Sequence, residues 1–383
     1  MKHNGDPSPD SPASHPTSRG ARAVLALARA RGGVSRAQLS EETGYSKSTT
    51  AQLVADLLNV GLLREERSGS GRSAVLVPVL PRLTIGAVHL EHERITAAVG
   101  DTNAAIVSTH HAKESLLASP VDALARAHQL LGAAVASADR GMPDAVVVAL
   151  PGPVSVAAGR PLSPSVLTAW SDAAPAEFLR AAGWDAPILV DNDANLGAWG
   201  ERTLGAARDY PDALYLEASH GIGAGLLLGG EVYRGGNGAA GEIGHVQVDA
   251  TGPLCRCGQN GCLEVVASST VILQRLATVH DQPAPGNIAS YTDPISARLL
   301  REAGTILGRA VAQSAAVLNP TAVIIGGEMG RAHESYRLGV REAIERHTQP
   351  LVAAGMRVLA GELGTEATIR GALARGVRAA LGA

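Results

Sequence analysis

The chain has 383 residues, 45% hydrophobic and 18% charged, enough apolar material for packed cores in two or three domains. A disordered or fibrous protein is excluded on those figures. The net charge of −3 is unevenly spread: residues 1–80 hold ten Lys/Arg against seven Asp/Glu and the remainder 23 against 29, so a mildly basic head precedes an acidic body. An anionic partner is therefore expected for the head alone.

Residues 1–18 are rich in Pro, Ser and Asp with almost nothing apolar, which predicts a disordered tail. Asp6, Asp10 and four prolines stand where a signal peptide would be apolar, and no stretch approaches the roughly 20 apolar residues of a membrane span. A cytoplasmic protein without a membrane partner is expected.

Residues 19–80 then read as three helices and a hairpin. Val24, Leu27 and Ala28 line one face of a first helix; Ser35 caps a second over Arg36–Thr43, closed by Gly44; Ser46 caps a third that runs to about Val60 before Gly61. Two short apolar strands, near Leu62–Leu63 and over Ala74–Val77, flank the polar loop RSGSGRS. This is the pattern of a winged helix-turn-helix, a DNA-binding domain. Val54, Leu57 and Leu58 face inward, leaving Lys47, Ser48, Thr49 and Gln52 at the exposed start of the third helix, where a recognition helix meets base edges. Gln pairs bidentately with adenine, while Lys and Thr serve phosphate or base. Arg36, Arg64, Arg67 and Arg72 are candidates for the DNA backbone or, in the wing, a narrow minor groove. Contact with another protein is the competing use of such a head. One head alone binds weakly, so operator DNA implies a homodimer or higher homo-oligomer over successive half-sites.

Beyond Pro81 the pattern is α/β. Strands are predicted at 83–90, 94–100 and 104–109, a helix over Val121–Ala138, and buried strands ending at Leu150 and Val190. The order recurs with strands at 213–218 and 222–228, helices near 268–280 and 295–318, a strand at 322–327 and two further helical segments. Two lobes facing a cleft are expected, one over 82–190 completed by the terminal helix 365–383, the other over 191–364.

The three cysteines of the chain fall within eight positions, and with His245 give His-x9-Cys-x-Cys-x4-Cys: His245, Cys255, Cys257 and Cys262. Three thiolates and an imidazole complete a tetrahedral zinc shell with no position left for water, so the zinc would be structural. Glycines 252, 258 and 261 allow the tight turns this spacing needs. Buried thiols beside a surface histidine are the alternative.

The strings GIGAG at 221–225, GEIGH at 241–245 and CRCGQNGCLE at 255–264, with DNDAN at 191–195, resemble the ROK family of sugar kinases and sugar-responsive repressors. The helix-turn-helix segment resembles the N-terminal domain of the ROK repressors. The resemblance implies a two-lobed, actin-like (ribonuclease H-like, sugar-kinase type) domain behind the winged helix. It also implies that Asn192, Asp193, Glu242, His245 and Glu264 surround a bound sugar or aminosugar. Carboxylates accept and amides both donate and accept, which suits a ring of hydroxyls. His245 would then bind zinc through one nitrogen and a sugar hydroxyl through the other. Asn192 and Asp193 also read as caps for a helix starting near Ala194, and Glu242 and Glu264 as solvated acids.

In the kinases of the family an Asp-x-Gly-Gly-Thr turn cradles ATP phosphates. Here His89, Leu90, Glu91, His92 and Glu93 occupy that stretch, so two carboxylates are expected to face the triphosphate position, and Ser219 and His220 replace the usual Gly-Thr before GIGAG. Glycines 221, 223 and 225 then read as a hairpin turn. The expectation is a transcriptional regulator, most simply a repressor, with Asp193 kept as a ligand acceptor and no enzymatic activity; the alternative is a zinc-containing, ATP-dependent sugar kinase with a fused regulatory head.

Overall fold

The computed structural model describes residues 18–67, 74–79, 81–116, 119–162, 168–281, 287–331 and 334–382. Residues 1–17 of the tail expected over 1–18 and the wing tip with Arg72 lie outside the described residues, as does the side chain of Arg67. The chain forms two compact units, dividing between Arg82 and Leu83.

The first unit comprises α1 (Arg19–Arg31), α2 (Arg36–Thr43), α3 (Lys47–Asn59) and a hairpin of β1 (Leu63–Arg67) and β2 (Ala74–Pro78). The Ser35 side chain accepts from the Gln38 N–H while Gln38 reaches back to the Ser35 N–H, a capping box, and Gly44 ends α2 at φ 70°. Ser46 accepts from the Thr49 N–H at 3.1 Å and caps α3. Val24, Leu25, Ala28, Leu39, Val54, Leu57 and Leu76 close the core, with Leu58 only half-buried. β1 is LREER rather than an apolar strand. A wing strand needs only one inward residue, Leu63, because the side chains of Arg64, Glu65 and Glu66 face solvent.

The second unit begins with β3 (Ile85–Leu90), β4 (Arg94–Gly100), β5 (Ile106–Lys113), α4 (Pro120–Ala138), β6 (Ala145–Leu150), a small β7 (Val154–Ser155) and β8 (Arg160–Pro161), α5 (Pro175–Ala181) and β9 (Ile188–Asn192). It continues through α6 (Asp193–Leu204), β10 (Ala213–Ala218), β11 (Ile222–Leu228), β12 (Glu231–Tyr233), α7 (Leu263–Ala267), α8 (Ser269–Val279) and α9 (Pro294–Leu318). It ends with β13 (Ala322–Gly326), α10 (Gly327–Gly330), α11 (Glu334–His347), α12 (Pro350–Ala354), β14 (Arg357–Ala360) and α13 (Ala367–Ala380).

Its two five-stranded sheets, β5-β4-β3-β6-β9 and β12-β11-β10-β13-β14, match strand for strand, with two antiparallel pairings followed by two parallel ones in each. The central strands β3, β6 and β13 are buried along their whole length, as helices on both faces require. β5 lies at an edge and alternates between half-buried and exposed residues, so its polar half, Ser108 to Lys113, continues the strand past the 104–109 expected from apolar content.

α13, last in the chain, packs on β3 and β6 of the first sheet, and α6 packs on β10 and β11 of the second. The two helices meet at Gly200 and Gly371. A Cβ on Gly200 would come 2.5 Å from the Ala367 carbonyl oxygen, so backbone touches backbone where one lobe joins the other. This crossing holds the end of β9 and the start of α6 beside the cleft.

Candidate ligand cleft and metal centre

All five residues expected around a ligand, Asn192, Asp193, Glu242, His245 and Glu264, line one cavity of about 110 Å³. Asn192 and Asp193 sit where β9 turns into α6. Asn192 is also the helix cap: its Oδ1 accepts from the Asn195 N–H at 2.9 Å, and its Nδ2 donates to the Gly152 carbonyl and to Asp193 Oδ1, each at 3.0 Å. The capping and cleft-lining roles therefore coincide in one residue. Asp193 Oδ1 accepts from the Ala194 N–H at 2.7 Å. Burial, then the neighbouring Glu217, pushes the Asp193 carboxyl well above its ordinary range, against that hydrogen bond. Behind the pair, buried Asp191 is held by Arg234, 2.5 Å from Nη2 to Oδ2.

The other three acids and bases come from the loop after β12 and from α7. Glu242 faces the cavity with Oε2 3.8 Å from His245 Nε2, and burial, with Glu264 nearby, pushes its carboxyl up to about 7. Glu264 lies in the first turn of α7 and accepts from the Ile222 N–H at 3.3 Å.

His245, Cys255, Cys257 and Cys262 offer ligand atoms that all lie within 4.8 Å of one another. His245 Nδ1 is 3.5 Å from Cys255 Sγ, and Cys257 Sγ is 3.5 Å from Cys262 Sγ. A tetrahedron of thiolates about zinc has edges of roughly 3.8 Å, so the separations fit a single metal ion. The chemistry fits too: burial and the adjacent thiols push Cys262 up to about 12, a cost that a divalent cation would offset. Bridges Gln247↔Cys262 and Leu254↔Asn260 fold the loop back on itself, and Gly258 and Gly261 adopt φ of 91° and 63°. With Nδ1 turned to the sulfurs, Nε2 of His245 is the nitrogen presented to Glu242 and the cavity.

The stretch 89–93 is a hairpin end, closed by the Glu91 N–H on the Arg94 carbonyl at 2.8 Å. His89, Glu91 and His92 line the cavity. Glu93 does not: it is exposed at the tip of the turn, which corrects the expectation of two carboxylates from this stretch. The second carboxylate is Glu217, from β10, held by Tyr215 Oη at 2.6 Å and Ser219 Oγ at 2.7 Å. Sequence reading passed over it, although an acid inside the apolar strand ALYLEA was a usable signal.

The glycines of GIGAG divide their work. Gly221 lies in the β10–β11 turn, whereas Gly223 and Gly225 lie within β11, where a Cβ would meet Ala194 Cβ at 3.2 Å and Ala198 Cβ at 2.5 Å respectively. The last two make room for α6, which corrects their reading as a hairpin turn. In the cavity lining the ring of His92, from the first lobe, stacks on that of His220, from the second, with centroids 4.7 Å apart.

In the first unit, Lys47, Ser48, Thr49 and Gln52 are exposed at the start of α3. Gln52 Nε2 donates to Asp56 Oδ1 at 2.9 Å, Arg36 pairs with Glu65 at 2.5 Å and Arg64 with Glu66 at 2.6 Å. These exposed pairs contribute little stability and leave the side chains able to exchange partners.

The ROK family profile matches residues 85–375, and that of the IclR helix-turn-helix domain matches residues 16–67. The xylose repressor of Bacillus spizizenii is 27% identical over 354 residues, 88% of this chain and 89% of that one. The Escherichia coli K12 DNA-binding transcriptional dual regulator NagC is 25% identical over 387 residues, covering 94% and 92%. A solved ROK family transcriptional regulator, described as a homolog of the E. coli MLC protein, shares the fold with a TM-score of 0.73 at 23% identity over 94% of this chain and 97% of that one. A Streptomyces griseus ROK family glucokinase, solved with glucose and AMPPNP, superposes with a TM-score of 0.66 at 26% identity over 76% of this chain and 98% of that one. With the family profile spanning most of the second unit, the chain belongs to the ROK family.

Proposed function

We propose that the protein is a sugar-responsive transcriptional repressor. The observation that supports it is one cavity lined both by Asp193, Glu242, Glu264 and His245, a set suited to accepting from hydroxyls, and by His89 and Glu91, from the stretch that would correspond to the kinases' phosphate turn. Glu91 and Glu217 would repel a triphosphate there, and the side chains of Glu91 and His92, standing where the kinases have glycines, would deny the close backbone approach that glycines allow. The helix-turn-helix head and relatives named as xylose and N-acetylglucosamine repressors support the regulatory half of the reading.

The effector would be a sugar or aminosugar. Asn192, committed to its backbone bonds, would position Asp193 rather than read the ligand extensively. The cavity is narrower than the roughly 300–1,000 Å³ of sites that enclose drug-sized ligands, so a pyranose would part the His92–His220 stack and shift one lobe against the other. DNA affinity would change by the difference in ligand affinity between the two arrangements. Zinc held by His245, Cys255, Cys257 and Cys262 would be structural, fixing the His245 tautomer and the start of α7 with Glu264. Lys47, Ser48, Thr49 and Gln52 would meet bases, with Arg36 and Arg72 at the backbone or wing, in a homodimer or higher oligomer on operator DNA. No described helix is long and apolar enough to cross a membrane.

The test is retardation of a DNA fragment from the gene's own upstream region, with and without a panel of hexoses, pentoses and aminosugars. A salt-sensitive complex is expected, weakened in Lys47→Ala and altered by at least one sugar. DNA retardation that is absent, with ADP released from ATP and a hexose at ordinary enzyme rates, would instead establish the kinase reading.

A further inference from the structure

Beside the cleft lies a second and larger cavity of about 430 Å³, on the first lobe between the β4–β5 end of the sheet and the start of α13. Its donors are the guanidinium groups of Arg94 and Arg370 and the hydroxyls of Thr96, Thr109 and Thr365. Arg370 Nε is buried with no hydrogen-bond partner, and among the described residues its head group makes only a long ion pair, 4.0 Å from Glu366. The Arg370 guanidinium therefore has N–H donors uncommitted to any short ion pair, which an acceptor in the cavity would engage. Arg94 grips Glu91 with two bonds of 2.8 Å, a fork that also fits a phosphate or carboxylate of a ligand.

His89 and Glu91 line this cavity and the first one alike, so one pair of side chains forms the wall between them. We infer that the second cavity is an effector site for a small polyhydroxylated metabolite carrying a terminal oxyanion, received by Arg370 and Arg94. The volume admits a six-carbon skeleton, and the threonine hydroxyls match its hydroxyl groups. An oxyanion on Arg94 competes with Glu91, and a released Glu91 changes the charge facing Asp193 and Glu217 in the first cavity. Binding at either site then alters affinity at the other by the same factor. That coupling rests on the first cavity being a ligand site; occupation of the second does not.

The experiment is titration calorimetry of the full chain with glucose 6-phosphate, gluconate and inorganic phosphate, against glucose as the uncharged control. Saturable binding of at least one of the two oxyanion-bearing sugars is expected, with Arg370→Gln weakening it tenfold or more, Arg370→Lys recovering part of the loss, and Asp193→Asn leaving it within threefold. If Arg370→Gln does not fold, Thr109→Val and Arg94→Gln carry the same expectation. Tight binding of glucose 6-phosphate and not gluconate identifies a phosphate ligand, and the reverse a carboxylate. Absence of saturable binding by both, binding indifferent to Arg370 and Arg94, or binding abolished by Asp193→Asn would overturn the assignment; the last would move the anion into the first cavity. Failure of the sugar reading alone appears differently, as glucose-type sugars without effect while the oxyanion site still titrates.

Discussion

Glu201 offers the sharpest test of how the cleft is held. Its carboxylate is fully buried near the end of α6, where Oε2 accepts from the Ala206 N–H at 2.7 Å and the Glu362 N–H at 3.2 Å, and Oε1 from the Leu363 N–H at 2.9 Å. The substitution Glu201→Gln keeps the shape and replaces one acceptor by a donor. Placed at the Oε2 position, the new NH2 opposes two N–H groups; placed at Oε1, only one. The amide should therefore settle with its nitrogen toward Leu363, losing one bond to a charged group and leaving one buried donor facing another. Such a bond contributes about 1.5–3 kcal/mol, so the variant should lose about 2–3 kcal/mol. Glu201→Ala, which empties the site, should lose about 4–5 kcal/mol, within the range for broken buried networks. Urea unfolding followed by intrinsic fluorescence measures the difference, read from the midpoint with the slope unchanged. The same variant should weaken sugar binding, because α6 carries Asn192 and Asp193 at its other end. A Glu201→Gln protein within about 0.5 kcal/mol of the parent would refute the reasoning, since three backbone donors could then be satisfied without a carboxylate.

Three further outcomes are expected. Asp193→Asn retains the Ala194 contact geometry but turns an acceptor toward donor character, so the sugar-induced rise in Tm should vanish while the Tm of the unliganded protein stays within a few degrees; an undiminished shift would exclude Asp193 from ligand contact. Cys257→Ser, or dialysis against a strong chelator, should lower the metal content measured by atomic absorption to a small fraction of the parent's and remove the sugar response along with it, through His245; a full response in metal-free protein would separate the two sites. His92 is held down to about 4 by burial, then by His220 and Arg256, so between about pH 6.5 and 4 the unfolded chain binds a proton that the folded chain refuses. Stability should therefore fall as pH drops through that window, and His92→Gln should flatten the fall; identical pH profiles by thermal denaturation would rule out the His92–His220 stack as its source.

Local chemistry was legible in the sequence. Three cysteines within eight positions could be read as one metal centre because ligands that close in sequence need only tight turns to converge, and Ser35, Gly44 and Ser46 marked helix ends because a cap is made with residues three or four positions away. The repeated order of strands and helices could be followed along the chain, and the two matching sheets share it. What the tertiary structure alone decided were contacts between distant residues. Glu217 on β10 lines the same cavity as Asp193 and raises its carboxyl, Glu201 takes donors from positions more than 160 residues further on, and Glu91 became the wall of two cavities while Glu93, two positions away, turned to solvent. An isolated acid in an apolar run carries no mark of its partner, because the partner is chosen by how sheets and helices pack, and only that packing tells a buried carboxylate's structural duty from a ligand's acceptor.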